Sequence, residues 1–278
     1  MQPGQPSLTA RRAAAHRAVH QLIEHGAVFA DPFAVRVLNE APEALVADAA
    51  AHPDRRPMRL FIAARHRFAD EATAAAVARG TRQMVVLGAG LDTSAYRNPH
   101  ADLRTFEVDH PQTQRWKRER LREAGITAPP SLTFVAFDFE RDNLAGRLAA
   151  SGFDAARPSI FIWLGVVPYL TRDAVFASLN YIAGCTASEV VFDYGEPPES
   201  SPPEQRADHA RRAAVVAALG EPWLTFFEPP QLHGELRALG FTQVEDLDAA
   251  AIAARYFNAA QHQRAARGRG HLLRAARK

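Results

Sequence analysis

Cysteine is almost missing from this chain: Cys185 stands alone among 278 residues. That excludes an internal disulfide and any zinc cluster built on cysteines, and it fits a reducing compartment. Cys185 falls at the end of an expected helix, where a thiol serves as buried apolar filler rather than as a nucleophile. Long apolar runs are lacking too, with none near the 18 residues of a membrane span. The first six residues, Met1-Gln2-Pro3-Gly4-Gln5-Pro6, carry no apolar segment of the kind a secretory signal needs. Charge of one sign is scarce. The 33 basic and 31 acidic residues leave +2, too small a bias to call for nucleic acid or a membrane as partner. No metal-ligand spacing appears, so no metal is expected. The expectation is a soluble cytoplasmic protein, with self-association left open.

What is present is organised around Met84-Val85-Val86-Leu87-Gly88-Ala89-Gly90-Leu91-Asp92-Thr93. A short apolar run of this kind makes a strand buried on both faces of a parallel sheet. Two glycines at spacing two then permit a tight turn into a helix and the close approach of a ligand. Open α/β sheets bind ligands at such strand ends, where helix N–H groups are unpaired. The dinucleotide pattern G-x-G-x-x-G is incomplete, because Thr93 stands where its third glycine would be, and this weighs against a nicotinamide cofactor.

Residues 1–80 read as an alanine-rich helical cap broken at Pro32, Pro42, Pro53 and Pro57, and residues 81–278 as the main sheet domain. Ser7 or Thr9 can cap a first helix through Arg17, Asp31-Pro32 marks a second start, and a third helix covers Met58–Ala78. Most charges on that third helix fit a solvated face; Arg65, just before the central strand, is the exception.

Further strands are expected at 103–109, 132–137, 159–165, 189–194, 241–247 and 271–275, alternating with helices, which argues for a doubly wound α/β sheet. Asp109 ends the second strand, where an acid can accept hydrogen bonds from both ribose hydroxyls; the competing role is N-cap of the helix starting at Pro111. That helix is strongly basic, and a solvated face is the expectation. Asp138 and Phe139 end the third strand, offering an acceptor for an exocyclic amine and a ring to stack on a base. Residues 195–222 are polar and proline-rich, and read as a lid insertion after the fifth strand.

Taken together, these strand ends resemble the class I S-adenosylmethionine-dependent methyltransferases. More narrowly, they resemble the leucine carboxyl methyltransferase family, including its bacterial branch with polyketide-tailoring O-methyltransferases. The residues that carry this are Ala63-Ala64-Arg65, the glycine loop with Arg97, Phe106-Glu107-Val108-Asp109-His110-Pro111, Asp138-Phe139 and Gly165-Val166-Val167-Pro168-Tyr169-Leu170. The order and spacing fit over roughly residues 9–194. The resemblance implies a mostly parallel Rossmann-like sheet with S-adenosylmethionine as cofactor. It implies that Arg65 pairs with the cofactor's carboxylate, a bidentate contact suited to arginine. Gly88 and Gly90 would admit its amino-acid portion, Asp109 would hold ribose, and Asp138 with Phe139 would hold adenine. Arg17 is implied as a second cation near the carboxylate. Asp92 and Arg97 belong to the same pattern, either in direct contact or as a structural ion pair. Leu164 departs from it, since related members often carry glutamate there.

The implied reaction is O-methylation of a small-molecule carboxylate or hydroxyl, in secondary metabolism on the family analogy. A carboxylate is already ionised at neutral pH, whereas a phenol gains from a base. Candidate bases are His110, Tyr169, His209 and His233, of which Tyr169, just past the fourth strand, is the best placed. Two other classes stay open at this level: a nicotinamide-dependent oxidoreductase, and a cofactor-binding protein without catalysis.

Overall fold

The alternation of apolar side chains within each strand decides the layering. In β1 (Gln83–Leu87), Val85 and Leu87 join one buried cluster while Met84 and Val86 join another, so one strand feeds two cores. The same holds for β4 (Ser159–Trp163), where Phe161 and Trp163 face one way and Ile160 and Ile162 the other. Such strands must lie in the middle of a sheet covered on both faces.

The computed structural model describes residues 7–200, 202–258 and 269–277. Its sheet adds β2 (Arg104–Asp109), β3 (Leu132–Ala136), β5 (Ser188–Gly195), β6 (Gln243–Leu247) and β7 (Gly270–Ala276). The order is β3-β2-β1-β4-β5-β7-β6, and β7, inserted between β5 and the edge strand β6, alone runs antiparallel to its neighbours. Strand order reverses between β1 and β4, and that is where a crevice opens at the carboxyl ends.

Helices α1 (Leu8–Ile23), α2 (Ala34–Leu38), α3 (Pro42–Ala51) and α4 (Arg56–Ala78) precede the sheet. The Ser7 hydroxyl caps α1 by accepting from the Ala10 N–H. Small side chains let α4 lie close: Ala63, Ala64, Ala69, Ala72 and Ala76 pack with Phe68 against Met84, Val86 and Ile160. The Asp31 carboxylate accepts from the Phe33 and Ala34 N–H groups, although α2 itself starts only at Ala34.

Along the sheet follow α5 (Ser94–Arg97), α6 (Pro111–Glu123), α7 (Leu144–Ala150), α8 (Arg172–Gly184), α9 (Pro203–Ala218), α10 (Pro229–Ala238) and α11 (Ala249–Tyr256). α7, α8 and α10 cover the face opposite α4 through Leu144, Leu148, Val175, Leu179, Leu232 and Leu236. Thr171 caps α8, and Cys185 ends it as a buried core residue.

One expectation is corrected. The basic helix α6 is not simply a solvated face: Lys117 is 2% exposed and reaches Glu107 on β2 at 2.7 Å. The segment 195–222, expected as an insertion after the fifth strand, contains a helix. Pro203 takes the first helical position, where its missing N–H is harmless, and Ala207, Ala210, Ala213 and Ala214 favour the 16-residue helix α9 that follows. Among the described residues, no helix is long and apolar enough to cross a membrane.

Candidate active site

A cavity of about 1640 Å³ opens at the carboxyl ends of β1, β2, β3 and β4. Arg17, Arg65, Gly88, Gly90, Asp109 and Tyr169 all line it, as do Asp138 and Phe139. The topology thus brings the expected residues to one place from separate elements.

The glycine loop is shaped by contacts that side chains would block. Gly88 and Gly90 have φ of +65° and +46°. A Cβ on Gly90 would stand 2.9 Å from the Ala10 Cβ of α1, and one on Gly88 would strike Val166. Helix α1 therefore lies directly over the loop. Arg17 fastens it there, its Nη2 donating to the Leu91 carbonyl at 2.5 Å and its Nε to Asp31 at 2.9 Å. Asp31 also accepts from the Thr93 hydroxyl at 2.8 Å. Burial alone would raise the Asp31 carboxyl, but Arg17 and Arg97 outweigh it and hold it below the usual range. Arg17 is thus committed to the loop backbone and to Asp31.

Arg65 projects from α4 into the cavity beside the end of β4. A Cβ at Gly165 would come within 2.7 Å of its Nη1, so glycine is what lets the guanidinium lie flat there. Asp193 of β5 accepts from Arg65 Nη1 at 3.0 Å and, through its other oxygen, from the Gly165 N–H at 2.5 Å. Arg65 Nε is buried without a hydrogen-bond partner. Sequence reasoning missed Asp193; an acid ending the fifth strand, opposite an arginine beside the first, is the signal that could have found it.

Asp109 is not the N-cap of α6. His110 holds that position, its side chain accepting from the Gln112 N–H, which leaves the Asp109 carboxylate to accept from the backbone of Gly90 and of His110. Burial raises the Asp109 carboxyl, against those two N–H bonds. Asp138 Oδ1 accepts from the Glu140 N–H, and the Phe139 ring stacks near-parallel on Trp163, at 11°. Asp92 and Arg97 do not pair with each other. Asp92 faces His66 at 3.5 Å, and Arg97 meets Asp70 at 2.7 Å while donating to the Thr93 hydroxyl. Leu164 packs on the α4 side of the sheet and lines the cavity.

Of the four candidate bases, none offers a free lone pair beside the glycine loop. Burial pushes the Tyr169 phenol up, so it remains protonated at neutral pH and serves as a hydrogen-bond group to Trp223 and Thr9. His209 packs between Trp223 and Phe226, and His233 pairs with Asp246 at 2.7 Å. His110 is occupied as the cap of α6.

The glycine loop lies under an N-terminal helix and is faced by a buried arginine from α4. Residues 10–183, which carry this arrangement, match the family described as leucine carboxyl methyltransferase. The chain belongs to the leucine carboxyl methyltransferase family. The Bacillus subtilis protein named "Putative S-adenosyl-L-methionine-dependent methyltransferase YktD" is 34% identical over 174 residues, which cover 60% of this chain and 56% of that protein. The chain thus spans about half the length of that relative. Among solved structures, a methyltransferase-designated protein of Thermobifida fusca aligns with a TM-score of 0.58 at 18% identity, over 99% of this chain and 96% of the other. A DUF574 family protein of Streptomyces avermitilis aligns at 0.56 and 17%, over 95% and 97%. These two likenesses bear on the fold. Family membership makes S-adenosylmethionine the cofactor against which the cavity is to be judged.

Proposed function

We propose that this protein is an S-adenosylmethionine-dependent methyltransferase that methylates an oxygen, carboxylate or hydroxyl, of a small molecule. The observation that carries the reading is Arg65. Its Nε is buried without a partner in a cavity that also contains the glycine turn and the Asp109 carboxylate, and that residue set fits an amino-acid nucleoside. Arg65 would hold the cofactor's carboxylate, Gly88 and Gly90 would admit its amino-acid portion, Asp109 would hold ribose, and Asp138 with Phe139 would hold adenine. Arg17 supports the loop from behind. When bound, S-adenosylmethionine supplies an electrophilic methyl group on a positively charged sulfur.

The chain's own contribution is placement and exclusion of water. Holding a nucleophile in line with the methyl group is worth up to about 7–11 kcal/mol in favourable cases. The remaining walls define where the acceptor goes: Val215 and Val216 of α9 with Trp223 and Leu224 beyond it. The strap that carries those last residues is fixed, since the N–H groups of Leu224 and Thr225 donate to the Pro168 carbonyl and Glu221 accepts from the Thr9 N–H.

Thermal unfolding tests the reading cheaply. S-adenosylhomocysteine at 100 times its dissociation constant should add about 2.7 kcal/mol of stability, whereas NAD should add none. Transfer of labelled methyl to an acceptor then separates catalysis from binding alone. Stabilisation by NAD and not by S-adenosylhomocysteine would overturn the proposal.

A further inference from the structure

Away from the glycine loop, a cluster of titratable side chains joins β5, β6 and β7. His271 of β7 is 5% exposed and stacks on the Tyr194 ring of β5, with centroids 4.7 Å apart. Both of its ring nitrogens face carboxylates: Nδ1 meets Asp246 of β6 at 2.9 Å, and Nε2 meets Glu196, just past β5, at 2.9 Å. Asp246 also accepts from the Tyr194 hydroxyl at 2.6 Å and faces His233 of α10 at 2.7 Å, while Glu196 also accepts from Arg269. Each carboxylate thus takes its protons from neighbours. A neutral imidazole carries a single N–H, so the two contacts together call for the imidazolium. From the other face of the sheet, α4 approaches through an uncharged ring, Phe61, which a Cβ on Gly270 would strike.

Glu196 stands where the chain leaves the sheet. It follows the Gly195–Gly270 pair of β5 and β7, and its N–H donates to the Arg269 carbonyl at 3.1 Å. Pro197 and Pro198 come next, and the chain runs on into α9, whose Arg211, Arg212, Val215 and Val216 line the cavity. Arg269 makes a second tie, donating to the Ser200 carbonyl at 3.2 Å. An arginine keeps its charge across the physiological range, and a histidine does not.

We infer that His271 is a proton-dependent latch on this segment: as the imidazolium it ties Glu196, at the segment's root, to Asp246 within the sheet, and loss of the ring proton releases Glu196. The latch does not depend on what the cavity binds. A neutral ring keeps one N–H for two carboxylates. Asp246 is 7% exposed and cannot turn to water, whereas Glu196, at 22%, can, so the remaining N–H stays on Asp246. Burial would lower the ring, but Asp246 and Glu196 outweigh it and raise it above its ordinary 6.5. The bridge therefore contributes fully below 6.5, and its contribution is lost as pH rises through the higher folded value. The segment is held more tightly in acid than in alkali.

The test uses the full chain without ligand. In NMR, the His271 ring, assigned through its backbone amide, should be an imidazolium at pH 7. Hydrogen exchange, corrected for the intrinsic effect of pH, should show residues 197–206 losing protection with the same midpoint as the ring, while β1 stays unchanged. Glu196→Gln should lower the ring's midpoint, and each pH unit of that fall corresponds to about tenfold in the protection that the wild type loses. His271→Gln should exchange at the wild type's alkaline level at every pH. A neutral ring at pH 7 would overturn the inference, as would protection in residues 197–206 that stays flat through the ring's titration. So would a pH dependence that survives in His271→Gln. The two wild-type measurements decide the matter even where a variant fails to fold.

Discussion

Arg65 of α4 and Asp193 of β5 are 128 residues apart in sequence and form a buried ion pair at 3.0 Å. The pair joins the N-terminal helices to the carboxyl end of the sheet at the point where the cavity begins. Asp193 fixes the guanidinium on one side and leaves Nε without a protein partner. An arginine held in this way is pre-oriented, so little of its freedom remains to be lost when an anion docks.

Arg65→Ala is expected to weaken S-adenosylhomocysteine binding by about 1.5–3 kcal/mol, the usual worth of a hydrogen bond to a charged group. Asp193→Asn should weaken it less, since the amide oxygen can still accept from Gly165 while the charge that orients Arg65 is gone. Calorimetry on folded variants checks both. Unchanged affinity in Arg65→Ala would remove the residue from the site.

Asp109→Asn separates ribose binding from helix capping. His110 caps α6, so the substitution leaves the cap intact and costs one acceptor for backbone N–H groups. Affinity for adenosine should fall together with affinity for S-adenosylhomocysteine. Equal adenosine binding in both proteins would refute the ribose role.

The buried pair Lys117–Glu107 should behave differently when one partner or both are replaced. The groups lie 2.7 Å apart, yet neither the ammonium nor either carboxylate oxygen has an aligned hydrogen bond. Burial, the largest influence, lifts the Glu107 carboxyl to about 7 against the pull of Lys117. Lys117→Met should cost about 1–3 kcal/mol by leaving a protonated Glu107 carboxyl buried without a partner, whereas Glu107→Leu with Lys117→Met should recover most of the loss. Urea denaturation of the two variants decides it.

Acid stability should depend on Glu24, which accepts from Arg59 and Arg56 and so ties the end of α1 to α4. Burial would raise its carboxyl, but the neighbouring His20 ring and the Arg59 guanidinium bring it down to about 2 from 4.5. The folded pKa lies below the unfolded one, so this stabilisation is complete above about pH 4.5 and is lost as pH falls through about 2. Between those values, the urea midpoint of Glu24→Gln should fall less steeply than that of the wild type.

β1 and β4 were legible because each is a short apolar run leading into a glycine, Gly88 and Gly165, and their two-sided burial follows from that unbroken hydrophobicity. The cavity-lining residues Arg65, Asp109 and Asp138 were legible only as a set, since each is ordinary alone. What sequence did not show was tertiary choice. Lys117 reads like its basic neighbours, and only the position of Glu107 on β2 draws it inward. Asp193 looks like any strand-ending acid until Arg65 is found beside it.

The segment after β5 should act as a lid for the acceptor. None of the α9 residues whose burial is described is buried, so the helix contributes little to the core. Its Asp208, Arg211, Arg212, Val215 and Val216 recur at helical spacing and line the cavity. At its far end the chain is anchored, because Thr225 and Phe227 are buried and Thr225 donates its hydroxyl proton to the Leu170 carbonyl at 2.5 Å. A helix with a cavity-facing stripe, no buried residue among those whose burial is described, and an anchored far end can open without disturbing the sheet. Replacing residues 203–218 with a short Gly/Ser linker should therefore shift the unfolding midpoint by no more than a few degrees and leave S-adenosylhomocysteine affinity within about threefold. Methyl transfer to a true acceptor should drop steeply, since closure over the acceptor is lost. The apolar pair in the stripe gives a finer version of the same test: Val215→Ser with Val216→Ser should raise KM for an apolar acceptor while leaving cofactor binding unchanged. A shortened protein that folds and turns over its acceptor at the wild-type rate would show that α9 is an inert surface helix.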